Sequence, residues 1–161
     1  CTALFSRHFG AISRFMQDEL KEKMRRWCSK QERCMGDVRR KLEGQTDDQD
    51  SIIAILQGLV EDGFISDERF LTSYVRTHAN HKAWGPRKIA HGLRVKGFSI
   101  ADSKAAAAAH PQAAYQASLA SLVERRRTEL PEKRERVIRF LVARGFAVND
   151  ILRAIKEAEK R

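Results

Sequence analysis

The amino-acid sequence predicts an all-α fold of about nine helices, which fall into three tandem three-helix repeats. Apolar residues recur at intervals of three and four along most of the chain, and no window alternates with the period of two that is typical of a strand. A Leu-x-x-x-Gly-Phe motif also occurs three times with the same spacing. The three copies are Leu59-Gly63-Phe64, Leu93-Gly97-Phe98 and Leu141-Gly145-Phe146.

Each copy of this motif has the features of a joint between two helices. Glycine reaches positive φ without a Cβ clash, so it commonly follows a helix end, and the Phe after it can fold back onto the last turn. A polar residue that can cap the next helix follows each copy. These candidate caps are Ser66 or Asp67, Ser99, and Asn149 or Asp150. Three copies in one register favour a helical repeat over chance.

The first three helices are predicted before Gly63. The first carries an apolar stripe formed by Phe15, Leu20, Met24, Trp27 and Cys28. This helix breaks near Ser29 or Cys34, and the second helix ends at Gly44. Polar residues at 46–51 then cap the third, whose apolar face runs up to the first joint.

The middle of the chain predicts three further helices. The first begins at Asp67 and extends to about His81. Pro86 separates it from a short helix, because proline is poor inside a helix and good at its first position. An alanine-rich helix then covers residues 99–109, which needs no function because alanine has the best helix propensity.

The last three helices complete the pattern. They are predicted over residues 113–127, from Pro131 to the third joint, and from there to the end of the chain. The predicted repeats therefore span residues 1–62, with an N-terminal extension, 63–110 and 111–161.

The charge of the chain indicates an anionic partner. Lys and Arg number 31 against 21 acids, which gives a net charge of +10. The charges form blocks: residues 45–70 have seven acids and one base, whereas residues 71–98 have six bases and no acid. Nucleic acid and an acidic protein surface are both compatible with this pattern.

Several classes of protein are disfavoured. No apolar run approaches the roughly 20 residues that cross a bilayer, and the first residues lack a secretory signal, so a cytoplasmic protein without membrane contact is expected. Cys1, Cys28 and Cys34 are an odd number and suggest no disulfide framework. His78 and His81 lack a clear third metal ligand, and no catalytic motif is present. We therefore expect no metal, no cofactor and no enzymatic activity.

Basic residues form four candidate clusters. The one in the second repeat surrounds Trp84 and comprises Lys82, Arg87, Lys88, Arg94 and Lys96. A helix opening at Pro86 would offer free N–H groups to a phosphate or carboxylate, whereas the alternative is a solvated face with Trp84 as part of the core. The other clusters are Arg39, Arg40 and Lys41; Arg125 to Arg127; and Arg134, Arg136, Arg139 and Arg144. Each of these alone is typical of a solvated helix face.

Two blocks in the middle of the chain resemble the RecX family of regulators of the RecA recombinase. Residues 62–70, DGFISDERF, are similar to the family's G-hydrophobic-x-D-D/E-x-R-F block. Residues 85–97 are similar to its G-P-x-x-I-x-x-x-L-x-x-K-G block, and weaker similarity covers about 18–158. The chain departs from the family pattern at Ala83 and Trp84, at Gly92, where an acid is usual, and at Cys34, where a capping Ser is common.

This resemblance implies an elongated and curved array of three tandem three-helix repeats and a function in recombination and DNA repair. It implies that the chain binds along the groove of the RecA filament on single-stranded DNA, inhibits ATP hydrolysis and strand exchange, and favours filament disassembly. A monomer that contacts DNA mainly through the filament is expected, with direct weak contact left open. The rival hypothesis is a stand-alone helical nucleic-acid-binding protein. The candidate contact residues are Lys82, Trp84, Arg87, Lys88, Arg94, Lys96, Arg39, Arg40, Lys41, Arg139 and Arg144.

Overall fold

The computed structural model describes residues 2–160, with side chains described from residue 14 onward. Within this range the chain forms nine α-helices, one short 3-10 turn at Arg127–Glu129 and no strand, which confirms the predicted all-α repeat fold. Cys1 lies outside the described residues. The helices are α1 Thr2–Cys28, α2 Met35–Glu43, α3 Gln49–Glu61, α4 Asp67–Asn80, α5 Pro86–Val95, α6 Ile100–Ala108, α7 Gln112–Glu124, α8 Leu130–Ala143 and α9 Val148–Glu159.

The chain divides into two compact units, unit 1 (Cys1–Phe70) and unit 2 (Leu71–Arg161). The core of unit 1 lies among α1, α2 and α3. It consists of Met24, Cys28, Val38, Leu42, Ile52, Ile55, Leu56, Leu59 and Ile65. Phe15, predicted to continue the α1 stripe, is instead 73% exposed, because the partly buried residues that border this core reach Leu20 and not further back along the helix.

Unit 2 has its largest core among α7, α8 and α9, while α5 and α6 pack closely together. Tyr115, Leu119, Val137, Leu141, Phe146, Ile151 and Ile155 are among the buried members of that core. Tyr115 also makes polar contacts inside the unit. Its hydroxyl donates to the Asp150 carboxylate at 2.8 Å, and burial together with this bond raises the pKa of the phenol.

All three Leu-x-x-x-Gly-Phe motifs form the same joint. Gly63, Gly97 and Gly145 have φ values of +74°, +105° and +90°. In each joint the Phe N–H donates to the carbonyl of the motif leucine, at 2.9 Å in the first, 3.2 Å in the second and 3.3 Å in the third. This is the six-to-one bond of a Schellman helix end, so the predicted stop and turn are confirmed.

The restarts after the joints are confirmed at two positions and wrong at the third. Ser66 accepts from the Arg69 N–H at 3.2 Å, and Ser99 accepts from the Asp102 N–H at 3.0 Å. The third restart was expected at Asn149 or Asp150, but α9 begins at Val148 without a side-chain cap. Asp150 lies in the first turn of the helix, where its carboxylate accepts from the Tyr115 hydroxyl.

No helix within residues 2–160 combines the length and the apolar character that a membrane span requires. Cys28 and Cys34 are both buried and form no disulfide with each other, and burial raises the pKa of Cys28. Cys34 occupies the N-cap position of α2, where its side chain makes no capping hydrogen bond.

Candidate nucleic-acid interface

The segment between α4 and α5 places Trp84 against the His78 ring of α4, which in turn stacks on Tyr74. The backbone N–H of Trp84 donates to the His78 carbonyl at 3.0 Å. The His78 ring lies between Tyr74, at a centroid distance of 3.8 Å, and Trp84, at 4.6 Å. Ala83 precedes Trp84 with φ +48°, an uncommon value for a residue with a side chain, and packs against the unit 2 core. Trp84 is therefore held in place and half-buried.

His78 is fixed as a neutral ring within this stack. Its Nδ1 lies 2.8 Å from the Tyr74 carbonyl oxygen, which can only accept, so Nδ1 carries the proton. Nε2 faces the Lys82 ammonium at 3.4 Å and accepts from it. Burial, followed by the charges of Lys82 and Lys96, lowers the pKa of His78. This histidine is therefore held within the aromatic stack.

Two lysines lie over the indole of Trp84. The Lys88 ammonium is 4.7 Å and the Lys82 ammonium 5.4 Å from the Trp84 ring, within cation–π range. Gly92 of α5 packs against the Tyr74 side chain, because a Cβ built there would meet the Tyr74 hydroxyl and lie 3.2 Å from its Cζ. The surface around Trp84 is therefore formed by cations and aromatic rings.

The N-terminus of α5 is closed, which corrects the expectation that it offers free N–H groups to an anion. The Gly85 N–H donates to the Arg144 carbonyl at 2.7 Å, and the Arg87 N–H donates to the Gly145 carbonyl at 3.3 Å. The Lys88 N–H donates to the Gly85 carbonyl at 3.1 Å. Carbonyls of the third joint thus accept from the Gly85 and Arg87 N–H groups, and the Gly85 carbonyl accepts from that of Lys88. Any anion contact here therefore depends on side chains.

The same packing links Trp84 to a second aromatic ring in the third repeat. Arg144 donates to the Lys82 carbonyl at 2.6 Å, and its guanidinium carbon lies 4.8 Å from the Phe140 ring centroid. Arg126 covers Phe140 at 3.8 Å and pairs with Glu129 at 3.0 Å. Phe140 was absent from the sequence-based candidates, and Arg126 was named only within the cluster Arg125 to Arg127. The spacing of Phe140 and Arg144, four residues apart on one helix, was a signal for part of this contact.

The remaining candidates are more scattered. Arg39, Arg40 and Lys41 lie on α2 in unit 1, where Arg40 pairs with Asp37 and Lys41 lies 4.6 Å from the Trp27 ring. Arg94 borders a shallow cleft of about 430 Å³ beside Val95 and Ile100, which are 65% and 54% exposed. Arg87 and Arg139 are exposed, and Lys96 is half-buried at the end of α5. The structure therefore joins Lys82, Trp84, Lys88 and Arg144 by direct contacts.

No group of three or more His, Cys, Asp and Glu side chains that could hold a metal occurs within the described part of the chain. The candidate surface consists of cations and aromatic rings. Such a surface can contact phosphates, carboxylates and unpaired bases.

These features define a class: a helical-repeat protein with a cationic, aromatic binding surface. Comparisons with known proteins narrow the class. The family model for "RecX, second three-helix domain" matches residues 66–106. The regulatory protein RecX of Herbaspirillum seropedicae is 34% identical over 146 residues, which cover 86% of this chain and 90% of that protein. The regulatory protein RecX of Pseudomonas entomophila (strain L48) is 29% identical over 126 residues, or 74% of this chain and 78% of that protein. The chain belongs to the RecX family.

Solved structures agree with this assignment at the level of the fold. The crystal structure of RecX from Lactobacillus salivarius has a TM-score of 0.80 at 23% identity, covering 90% of this chain and 97% of that chain. A second structure, described as a crystal structure of regulatory protein RecX, has a TM-score of 0.78 at 26% identity. It covers 94% of this chain and 77% of that chain.

Proposed function

We propose that this protein regulates the RecA recombinase by binding its DNA filament and inhibiting ATP hydrolysis, strand exchange and filament growth. It acts by binding, as a cytoplasmic monomer in recombination and DNA repair, and it needs no cofactor. Membership in the RecX family supports the proposal, because the matched relatives are named regulatory proteins. The observation that carries it is the acid-free basic surface of residues 71–98, on which Lys82 and Lys88 flank Trp84.

The chemistry of this surface suits a nucleoprotein filament. A filament presents phosphates from its DNA and carboxylates from its protein, and Lys and Arg side chains bind both. A repeat architecture adds to this, since tandem helical units provide a binding surface larger than one unit offers. The hydrogen-bonded N-terminus of α5 supports recognition by side chains, for which the candidates are chiefly Lys82, Lys88 and Arg144, with Arg87 and Lys96 as further candidates.

The decisive experiment is a titration of this protein into the single-stranded-DNA-stimulated ATPase of the RecA from the same organism. We expect inhibition at or below an equimolar ratio of protein to RecA. An ATPase that needs no DNA filament serves as the control and should be unaffected. Full RecA activity at equimolar protein would refute the proposal.

The same titration separates filament regulation from stand-alone nucleic-acid binding. A protein that merely sequesters DNA inhibits less when single-stranded DNA is in excess, whereas a protein that binds the assembled filament inhibits in proportion to RecA. Tight, sequence-selective binding to duplex DNA without RecA would favour the stand-alone alternative.

A further inference from the structure

We propose that unit 2 carries a stacking site for the unpaired bases of single-stranded nucleic acid. The site is a strip of six residues that crosses from the second to the third predicted repeat, hereafter the strip. Its members are Lys88, Trp84, Lys82, Arg144, Phe140 and Arg126. The biological setting of this inference rests on the proposed function, but the binding itself requires no recombinase.

Direct contacts make the strip continuous. Lys88 and Lys82 lie 4.7 Å and 5.4 Å from the Trp84 ring. The Lys82 carbonyl accepts from the Arg144 guanidinium at 2.6 Å, and that guanidinium lies over Phe140. One hydrogen bond, from the Arg144 guanidinium to the Lys82 backbone carbonyl, thus links the part of the strip around Trp84 to the part around Phe140.

The two rings are positioned by the fold and are not freely rotating surface groups. Trp84 is held by the His78 ring at 4.6 Å and by its own N–H bond to the His78 carbonyl. Phe140 is half-buried and packs against the unit 2 core. A ring that is already ordered loses little conformational entropy when a base stacks on it, which favours binding.

The cations over the rings are compatible with stacking. An exposed cation–π contact is weak, and base stacking on an aromatic ring is the stronger interaction. Lys82 and Lys88 have long flexible stems, so a base can replace an ammonium over the Trp84 ring. The displaced ammonium then remains beside the ring, where it can contact a neighbouring phosphate.

Single strands fit this arrangement better than other anionic ligands. An unpaired base exposes its π-face to a protein ring, whereas stacking and pairing hide that face in a duplex. An acidic peptide would use the cations but would leave the rings without a specific partner. Glu129 pairs with Arg126 at the end of the strip beyond Phe140.

The test measures binding of a fluorescein-labelled oligo(dT) by anisotropy, with the full chain and without recombinase. Trp84→Leu and Phe140→Leu keep an apolar side chain but remove the aromatic face. Trp84→Leu should weaken binding about tenfold, since stacking on one ring contributes on this scale. Phe140→Leu should weaken it less, because Arg126 and Arg144 already cover that ring. Circular dichroism and thermal melting verify that each variant is folded.

A second readout leaves the strip intact. In the Trp27→Phe variant Trp84 is the single tryptophan. Oligo(dT) should quench its emission, while duplex DNA of equal charge should quench it much less. This measurement decides the question even if a leucine variant fails to fold.

Salt dependence distinguishes the cations from the rings. The double variant Lys82→Ala/Lys88→Ala should flatten the slope of log K against log salt by about 1.4, if each lysine neutralises one phosphate of a single strand. The leucine variants should keep the wild-type slope. Lys104→Ala removes an exposed cation of α6 outside the strip and is the charge control. It should leave both the salt slope and the quenching of Trp84 close to those of the wild type.

Three results would overturn the inference. They are equal quenching by duplex and single strand, unchanged affinity in both folded leucine variants, and competition by a polyglutamate peptide as effective as competition by oligo(dT). If variants whose strip no longer binds oligo(dT) still inhibit RecA, the proposed function stands, but the strip is not the basis of the inhibition. A chain that binds oligo(dT) through the strip but does not inhibit RecA would refute the proposed function and leave the strip standing.

Discussion

The three joint glycines share a backbone conformation but differ in what surrounds them. A Cβ built at Gly63 or Gly97 meets no heavy atom within 4 Å, so the positive φ alone demands glycine there. At Gly145 a Cβ would lie 2.6 Å from the Lys88 Cβ and 3.0 Å from the Gly85 carbonyl oxygen. The third joint therefore needs glycine for two reasons, conformation and close approach of α5.

This difference predicts unequal costs for one substitution. Gly63→Ala should lower the free energy of unfolding by about 1 kcal/mol, the strain of an L-residue in the left-handed region. Gly145→Ala should lower the free energy of unfolding by about 1–3 kcal/mol more than Gly63→Ala does, because the new methyl group also overpacks the contact with Lys88. Urea denaturation of the two variants measures the difference. Equal losses would show that α5 shifts away without cost.

At the scale of helices, the caps explain where several elements begin. Asp48 is the N-cap of α3, and its carboxylate accepts from the N–H groups of Asp50 and Ser51 at 3.1 Å and 3.3 Å. The Ser51 hydroxyl donates to the same carboxylate at 2.6 Å. These bonds, led by the Ser51 hydroxyl, hold the pKa of Asp48 below its ordinary value.

Asp48→Ala should therefore lower the melting temperature by about 2–4 °C at pH 7, the usual effect of a lost cap in a chain of this size. Because the folded pKa is below the unfolded one, the unfolded chain binds more protons at acid pH. The stabilisation is present above the unfolded pKa and is lost as pH falls through the folded pKa. Melting scans from pH 7 to pH 3 should show the variant and the wild type converge. Asp47→Ala, an exposed neighbour, is the control, and an equal drop there would exclude the cap as the cause.

The sequence was sufficient for the features that depend on local interactions. Helical periodicity, the three Gly-Phe joints and the Ser66 and Ser99 caps all follow from residues within one or two turns of each other. Contacts between distant segments were not predictable. The α5 donors are taken up by Arg144 and Gly145, and Asp150 is diverted from capping by Tyr115.

The same distinction between local and distant contacts applies to the candidate surface. Residues near in sequence, such as Lys82, Trp84 and Lys88, were identified as one cluster, and their contacts are local. Arg126 and Phe140 join that surface only through Arg144, which lies 62 residues from its partner Lys82. A single sequence gives no signal for a contact between residues so far apart in the chain.

For the whole molecule, the question is whether the net charge of +10 or its placement determines function. Unit 2 holds the acid-free stretch of residues 71–98, whereas the seven acids of residues 45–70 lie in unit 1. Uniform attraction to DNA would depend on total charge, which salt screens. A specific contact would depend on where the cations lie.

Two triple charge reversals of equal size separate these cases. Changing Arg87, Lys88 and Lys96 to Glu should raise the concentration needed for half-inhibition of the RecA ATPase by at least about tenfold, because each reversal replaces attraction with repulsion at the contact. The control changes exposed cations outside this cluster, Lys30, Lys104 and Arg125, to Glu. It has the same net charge and should retain most of the inhibition. If both variants lose inhibition equally while their melting temperatures stay near that of the wild type, total charge rather than the α5 surface governs the interaction.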